Sequence, residues 1–114
     1  MAHTVEILPA AQRQLGKLAK KNPRDTRAIF EAIFDLEHDP LPVGVEPIQG
    51  VNGLYRIRVG NFRVVYGLEN QVLKVGVVRV GDRKDVYAAD PKTLQRAFEA
   101  WQGAQMPSKG KRKP

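Results

Sequence analysis

The chain has 114 residues, a formal net charge of +7 and no cysteine. This length predicts one compact domain with its own hydrophobic core. The absence of thiols excludes thiolate zinc sites, iron–sulfur sites and cysteine nucleophiles. No apolar run approaches the roughly 20 residues of a membrane span, and the N-terminus lacks the charged-then-apolar pattern of a signal peptide. We therefore expect a cytoplasmic protein with no membrane segment.

Much of the positive charge lies at the C-terminus. Lys109, Lys111, Arg112 and Lys113 carry +4 of it, which leaves +3 for residues 1–104. Because residues 105–114 are rich in Pro, Gly and Lys, we predict a folded domain over 1–104 and a disordered basic tail over 105–114. Two interpretations of the tail stay open: a solvated end without function, or a non-specific contact to RNA phosphates.

The first half of the chain predicts a strand followed by a helical hairpin. Residues 3–8 form a short strand candidate, and helical spacing of apolar residues predicts helices over 10–20 and about 23–37. Asn22-Pro23 separates the two helices, and Asp39-Pro40 ends the second, because the residue before a proline resists helical geometry. The expected apolar stripes are Ala11, Leu15, Leu18 and Ala19, then Ile29, Phe30, Ile33, Phe34 and Leu36.

The second half predicts a three-stranded meander and a last helix. Residues 41–49 indicate a connecting loop, and the strands are expected over 54–59, 62–68 and 72–80. Gly60-Asn61 is a two-residue hairpin signal, and the third strand is expected at the centre of the sheet because it is long and β-branched. A final helix over about 91–102 is capped by Asp90 and has Leu94, Ala97, Phe98 and Trp101 on one side. This order predicts an α+β fold with an antiparallel sheet.

The predicted strands carry several arginines, which are unusual residues for a hydrophobic sheet. Strand alternation places Tyr55, Ile57 and Val59 towards the core and Arg56 and Arg58 on the other face. A tight hairpin pairs residue 59 with residue 62, so Arg58 should lie opposite Arg63, which is unfavourable for like charges. Since no acids alternate with these arginines, we do not expect surface ion pairs, and guanidinium groups match phosphate bidentately. The alternative is an exposed sheet face with solvated arginines.

Three segments in this order resemble motifs of the RelE/ParE toxin superfamily. They are Tyr55-Arg56-Ile57-Arg58, Phe62-Arg63-Val64-Val65-Tyr66 and Val80-Gly81-Asp82-Arg83-Lys84-Asp85-Val86-Tyr87. The resemblance covers roughly residues 5–90. It implies a RelE-like fold: an N-terminal strand, a helical hairpin, an antiparallel meander and a C-terminal helix.

The resemblance also implies a small cytoplasmic toxin of a type II toxin–antitoxin pair. RelE-like members bind in the ribosomal A site and cut mRNA there by attack of a ribose 2′-hydroxyl, with no metal or other cofactor. The implied partners are a RelB-like antitoxin, the ribosome and mRNA; the toxin alone is expected to be a monomer, and its complex with the antitoxin a larger assembly. Two alternatives stay open: a ParE-like inhibitor of DNA gyrase, and a catalytically degenerate RNA-binding module.

The site residues follow from the same resemblance. The implied catalytic residues are Arg56, Arg58, Arg63, Arg83 and Tyr87, and the implied RNA-binding residues are Arg56, Arg58, Arg79 and Lys84. Arg63 and Arg83 should hold the scissile phosphate, and Tyr87 should contact the 2′-hydroxyl or stack on a base. Positions 56 and 58 carry lysine in the best-known RelE pattern, and arginine stays protonated, so the general base is open and Tyr87 is a candidate.

Three further residues complete the sequence-based expectations. Asp82 stands where many relatives have a basic residue, and it either orients Arg83 through an ion pair or has only a turn role. His3 and His38 share no ligand spacing, so we expect both to be surface or structural residues. That expectation disfavours a two-histidine nuclease.

Overall fold

The computed structural model describes residues 4–69, 74–82, 84 and 90–105. These residues form five strands and three long helices; four of the strands and all three helices follow the predicted order, and the fifth strand is short and was not predicted. The elements are β1 (Thr4–Ile7), α1 (Pro9–Lys21), α2 (Pro23–Asp35), β2 (Glu46–Pro47), β3 (Leu54–Val59), β4 (Phe62–Glu69), β5 (Lys74–Asp82) and α3 (Pro91–Gln105).

The helix ends follow from local chemistry. Proline occupies the first turn of both α1 and α2, where its missing N–H leaves no bond unmade. Asn22 joins the two helices: its N–H donates to Leu18 O at 2.7 Å, and its own carbonyl accepts from Thr26 N at 2.9 Å. Asp90 caps α3 by accepting from Lys92 N at 3.2 Å, which confirms the predicted cap. No helix within the described ranges is long and apolar enough to cross a membrane.

The sheet has the order β1-β5-β4-β3-β2. The meander β3–β4–β5 is antiparallel, as predicted, whereas β1 pairs with β5 in parallel. The expectation that the third meander strand is central was wrong, because β4 takes the middle position and β5 lies between β4 and β1. β2 falls in the predicted loop; a two-residue strand that contains proline carries no alternating pattern to reveal it.

Each face of the sheet has its own hydrophobic core. On one face α1 and α2 pack against the sheet through Ala11, Leu15, Ile29, Ile33, Leu36, Ile57, Val64, Tyr66, Val77 and Val80. On the other, α3 packs through Leu94 and Phe98 against Leu8, Ile48, Leu54 and Val65. Phe34, predicted in an apolar stripe, is 49% exposed. Ala19 and Ala97 are also exposed, so the predicted stripes were too wide at their edges.

Two glycines bring α3 close to the sheet. A Cβ atom built on Gly67 of β4 would lie 2.5 Å from Phe98 Cζ, and one on Gly76 of β5 would lie 2.8 Å from Trp101 Cζ3. Trp101 also donates from Nε1 to Glu6 Oε1 at 2.8 Å. Both aromatic residues therefore belong to the packing of α3, as the sequence analysis expected.

Candidate functional site

Strand register gathers four arginines on the α3-facing side of the sheet. Arg58 pairs with Arg63, as predicted, and Arg63 pairs in turn with Gly81 of β5. In the next row Val65 lies between Arg56 and Arg79. Because Val65 packs in the core under α3, both rows face the same way. The arginines therefore lie side by side rather than on opposite surfaces.

Arg63 is held by the hairpin itself. It is only 8% exposed, and its Nη1 donates to Phe62 O at 3.1 Å and to Gly60 O at 3.5 Å. Gly60 has φ 61°, a left-handed conformation that glycine adopts without strain. The turn carbonyls partly compensate the buried charge, while a guanidinium has five N–H donors in all. The hairpin thus fixes the orientation of Arg63 and uses one of its nitrogens.

Arg56 forms an ion pair, which corrects an expectation. β2 places Glu46 opposite Arg56, and Glu46 Oε1 accepts from Arg56 Nε at 3.1 Å and from Nη2 at 2.9 Å. The sequence gives no hint of this contact, because Glu46 lies in a segment without strand signals. The side chain of Glu46 is 57% exposed, so the pair contributes at most about 1 kcal/mol to stability. Its main effect is to orient Arg56.

Beside these arginines lies a groove of about 930 Å³. Arg58 and Arg63 form one part of its lining, and Asp35, Asp39 and Glu46 form another. The groove lining therefore combines two cationic and three acidic side chains. Asp35 ends α2 and Asp39 follows four positions later; this pair of acids was the available sequence signal, and it was not predicted as part of the site. His38 is exposed on the groove, as expected of a surface residue.

Tyr66 of β4 is hydrogen-bonded to the loop that follows α2, next to the groove. Its side chain is fully buried, and its hydroxyl donates to Pro40 O at 2.5 Å. Burial raises the pKa of Tyr66 well above the ordinary value for a phenol, and the neighbouring Tyr55 and Asp39 raise it further. Tyr66 therefore stays protonated at neutral pH and acts as a structural anchor for the loop that follows α2.

Arg79 has a different environment from the other three arginines. Its Nε is buried and has no hydrogen-bond partner in the described part of the chain. A buried donor without an acceptor is unfavourable, and more so when it belongs to a charged group. An anionic ligand on this face is one way to satisfy it.

The third motif segment, residues 80–87, lies only partly within the described residues. Lys84 is exposed. Asp82 is exposed and pairs with Phe62, which places it on the sheet face opposite Arg63. Arg83, Tyr87, His3 and residues 106–114 of the predicted tail lie outside the described residues, so their predicted roles stay predictions. Among the residues that are described, no cluster of three or more His, Asp or Glu side chains is arranged to hold a metal ion.

Comparison with known proteins identifies the family. Residues 5–87 match the model of the ParE toxin of type II toxin–antitoxin systems. The chain is also 34% identical over 88 residues to toxin RelG of Mycobacterium tuberculosis, an alignment that covers 76% of this chain and 98% of that toxin. The chain therefore belongs to the RelE/ParE superfamily and is a toxin of a type II toxin–antitoxin system.

Solved structures confirm the RelE-like fold. The toxin–antitoxin complex RelBE2 from Mycobacterium tuberculosis matches with a TM-score of 0.64 and 30% identity, covering 73% of this chain and 100% of that one. The archaeal RelE–RelB complex from Pyrococcus horikoshii matches with a TM-score of 0.60 and 26% identity, covering 73% and 97%. The predicted α+β fold and superfamily are thus both correct.

Proposed function

We propose that this toxin is a ribosome-dependent endoribonuclease that cleaves mRNA in the A site. The observation that carries the proposal is the cross-strand pair Arg58–Arg63, next to the row that contains Arg56 and Arg79. Four guanidinium-bearing residues on one sheet face offer bidentate donors to a phosphate backbone. Such a face also attracts single-stranded RNA electrostatically.

The proposed reaction is internal transesterification. The ribose 2′-oxygen attacks the adjacent phosphorus, the bond to the 5′-oxygen breaks, and the products carry a 2′,3′-cyclic phosphate and a 5′-hydroxyl. Negative charge builds up on the phosphorane, and fixed cations stabilise it. Arg63, oriented by the hairpin carbonyls, and Arg83 are assigned to this role, so we propose that the reaction proceeds without a metal ion.

Proton transfer needs a second kind of group. Arg56 and Arg58 are unsuited as general base, because a guanidinium does not lose its proton at ordinary pH. Arg56 is instead assigned to substrate orientation, together with Arg58, Arg79 and Lys84. Tyr87 remains our candidate for the base or for contact with the 2′-hydroxyl.

The proposed partners are a cognate RelB-like antitoxin, the ribosome and mRNA, all in the cytoplasm. Two of the similar solved structures are complexes of a RelE-type toxin with RelB. We propose that the toxin alone is monomeric and forms a larger complex with its antitoxin. Copurification of the protein encoded next to this toxin tests the partnership, and repeated failure to recover it with the toxin would refute it.

Mapping of cellular mRNA ends tests the activity. The chain is expressed from an inducible promoter, and 5′ ends of abundant mRNAs are located by primer extension before and after induction. We expect new 5′ ends within translated regions for the wild type and none for Arg63→Ala. Growth arrest without new mRNA ends would contradict the nuclease assignment.

A gyrase-directed toxin is the second candidate function. The family model that matches residues 5–87 is the ParE model, and the ion pair of Arg56 with Glu46 removes part of the free positive charge. Under this alternative the purified chain inhibits supercoiling by DNA gyrase while translation in a reconstituted system continues. RNA binding without either effect is what a degenerate module would give.

A further inference from the structure

A β-bulge decides which way Arg79 faces. The register shifts between Val65 and Tyr66: Val65 pairs with Arg79, whereas Tyr66 pairs with Val77. Val77 and Val80 both lie in the core under α1 and α2, although they are three positions apart. Regular alternation would place them on opposite faces, so one extra residue must be accommodated between them. Without the bulge, and with Val77 kept in the core, Arg79 would face α1 and α2 and Val80 would face the α3 side, so both residues would take the wrong face.

Among the described residues, no strand pairs with the bulged part of β5 on the side of β1. β1 ends at Ile7, and the last bond from that side runs from Leu8 N to Val77 O at 2.9 Å. Beyond it, α1 takes the place of a strand: Gln14 Oε1 accepts a hydrogen bond from Val80 N at 2.7 Å. A single side chain thus supplies the acceptor that a neighbouring strand would otherwise provide for this N–H.

We propose that Gln14 is a positioning residue for Arg79, because its bond to Val80 N holds the bulge that keeps Arg79 on the face of Arg56, Arg58 and Arg63. Gln14 lies on the helix-covered side of the sheet with Ala11 and Leu15 of α1. It therefore acts through the backbone of β5 rather than by contact with a ligand.

The chemical consequence rests on the proposed function. If the arginine face binds RNA, Arg79 binds a backbone phosphate next to the site at Arg63. Its Nε, which has no partner among the described residues, then becomes a donor to a phosphate oxygen. Gln14 and Arg79 then act as one functional unit, and removal of either should cause the same loss of RNA affinity. A residue that only stabilises the fold would not behave in this way.

The test uses three variants of the full chain. Gln14→Met keeps the aliphatic stem and removes the acceptor, and Gln14→Glu keeps an acceptor oxygen. Gln12→Ala is the matched control, because Gln12 is also a glutamine of α1 bonded to the backbone, donating from Nε2 to Ile7 O at 2.7 Å. That bond involves β1 and leaves the bulge of β5 untouched.

Nuclear magnetic resonance measures the position of Arg79 in the protein without RNA. In the wild type and in Gln12→Ala we expect a protected Val80 amide and Overhauser contacts between Arg79 and Val65. In Gln14→Met the Val80 amide should exchange about tenfold faster, the factor for one lost hydrogen bond, and the contacts of Arg79 with Val65 should weaken. Gln14→Glu should restore both signals. A Val80 amide that exchanges freely in the wild type overturns the proposal, whether or not Gln14→Met folds.

Measurements of RNA affinity test the consequence for phosphate binding by Arg79. The probe is a fluorescein-labelled single-stranded RNA with 2′-O-methyl groups, titrated over a range of salt concentrations. Gln14→Met, Arg79→Ala and the double variant should all lose the same single phosphate contact, a decrease of about 0.7 in the slope of log K against log salt. Additive losses in the double variant overturn the positioning role. A wild type that binds no RNA rejects the proposed function, while the Val80 and Arg79 signals still decide the role of Gln14.

Discussion

The sheet face that carries α3 has two ends with opposite chemistry, although the same strands build both. At one end Gly67 and Gly76 have no side chains, so Phe98 and Trp101 of α3 pack directly against the backbone of the strands. At the other end the same strands, β4 and β5, carry Arg63 and Arg79. The first end is closed by the protein's own helix, and the second is lined with positive charge.

The difference indicates that the glycine end contributes to stability and the arginine end to function. The glycine end makes a large apolar contact and orders α3, which is what core residues do. The arginine end keeps like charges adjacent and leaves Arg79 Nε without a partner among the described residues. Such an arrangement is unfavourable for folding and is expected where a site binds an anion. Substitutions at the arginine end should therefore lower activity, whereas substitutions at the glycine end should lower stability.

The largest effect is expected at the arginine end. Arg63→Ala should lower the rate of mRNA cleavage by about 10²–10³-fold, or about 3 kcal/mol, because it removes an oriented cation from the phosphorane. Cleavage is followed on mRNA bound to purified ribosomes, and circular dichroism checks the fold. Arg96→Ala on the exposed surface of α3 is the control and should cleave like the wild type. Equal loss in both variants would mean that general positive charge, and not this site, matters.

At the glycine end the expected loss is in stability. Gly67→Ala places a methyl group where Phe98 Cζ lies 2.5 Å away, and this overpacking should cost about 1–3 kcal/mol in the free energy of unfolding. Gly16→Ala is the matched control, because nothing lies within 4 Å of its added Cβ, and it should stabilise α1 by about 0.5–1 kcal/mol. Urea unfolding measures both. The account of α3 packing fails if both substitutions stabilise the protein.

Tyr66→Phe should produce a smaller loss of stability that depends on pH. Removal of the hydroxyl bonded to Pro40 O should cost about 1 kcal/mol. The pKa of Tyr66 is raised in the folded state, so the stability due to its protonated phenol is fully present below the unfolded value of about 10. That stability is lost as pH rises from there towards the raised folded value.

Comparison of the two proteins isolates this contribution from other titrating groups. The advantage of the wild type over Tyr66→Phe should be constant from pH 7 to about 9.5 and shrink by up to about 1.4 kcal/mol per pH unit above about 10. Chemical denaturation across this range measures it. An advantage that grows with pH would show that the phenol is not buried in its protonated form.

The smallest effect is expected for the acidic partner of Arg56. Glu46→Gln removes the ion pair at 2.9 Å and one negative charge from the groove, so RNA affinity should rise by about 1.5- to 5-fold, as expected for an exposed pair. Glu99→Gln, on the exposed surface of α3, should change affinity less. Filter binding at low salt resolves the two. Weaker binding of Glu46→Gln would mean that orientation of Arg56 outweighs the charge of Glu46.

The sequence predicts much of this comparison but not all of it. Alternation and the Gly60-Asn61 turn fix the pairing of Arg58 with Arg63, and the structure confirms it. The bulge in β5 and the strand β2 were not predicted, because each depends on tertiary partners: Gln14 is 66 residues from Val80, and Glu46 pairs with a strand that begins eight positions later. The position of β5 beside β1 likewise depends on a parallel pairing across the chain.

The central claim is that the arginine end of the sheet cleaves RNA at a phosphate. The most direct measurement incubates the purified toxin with ribosomes carrying a defined mRNA and analyses the chemical nature of the new 3′ ends. The account predicts 2′,3′-cyclic phosphate ends that disappear with Arg63→Ala and persist with Arg96→Ala. Intact mRNA in the presence of folded wild-type toxin, together with inhibited supercoiling by DNA gyrase, would contradict it.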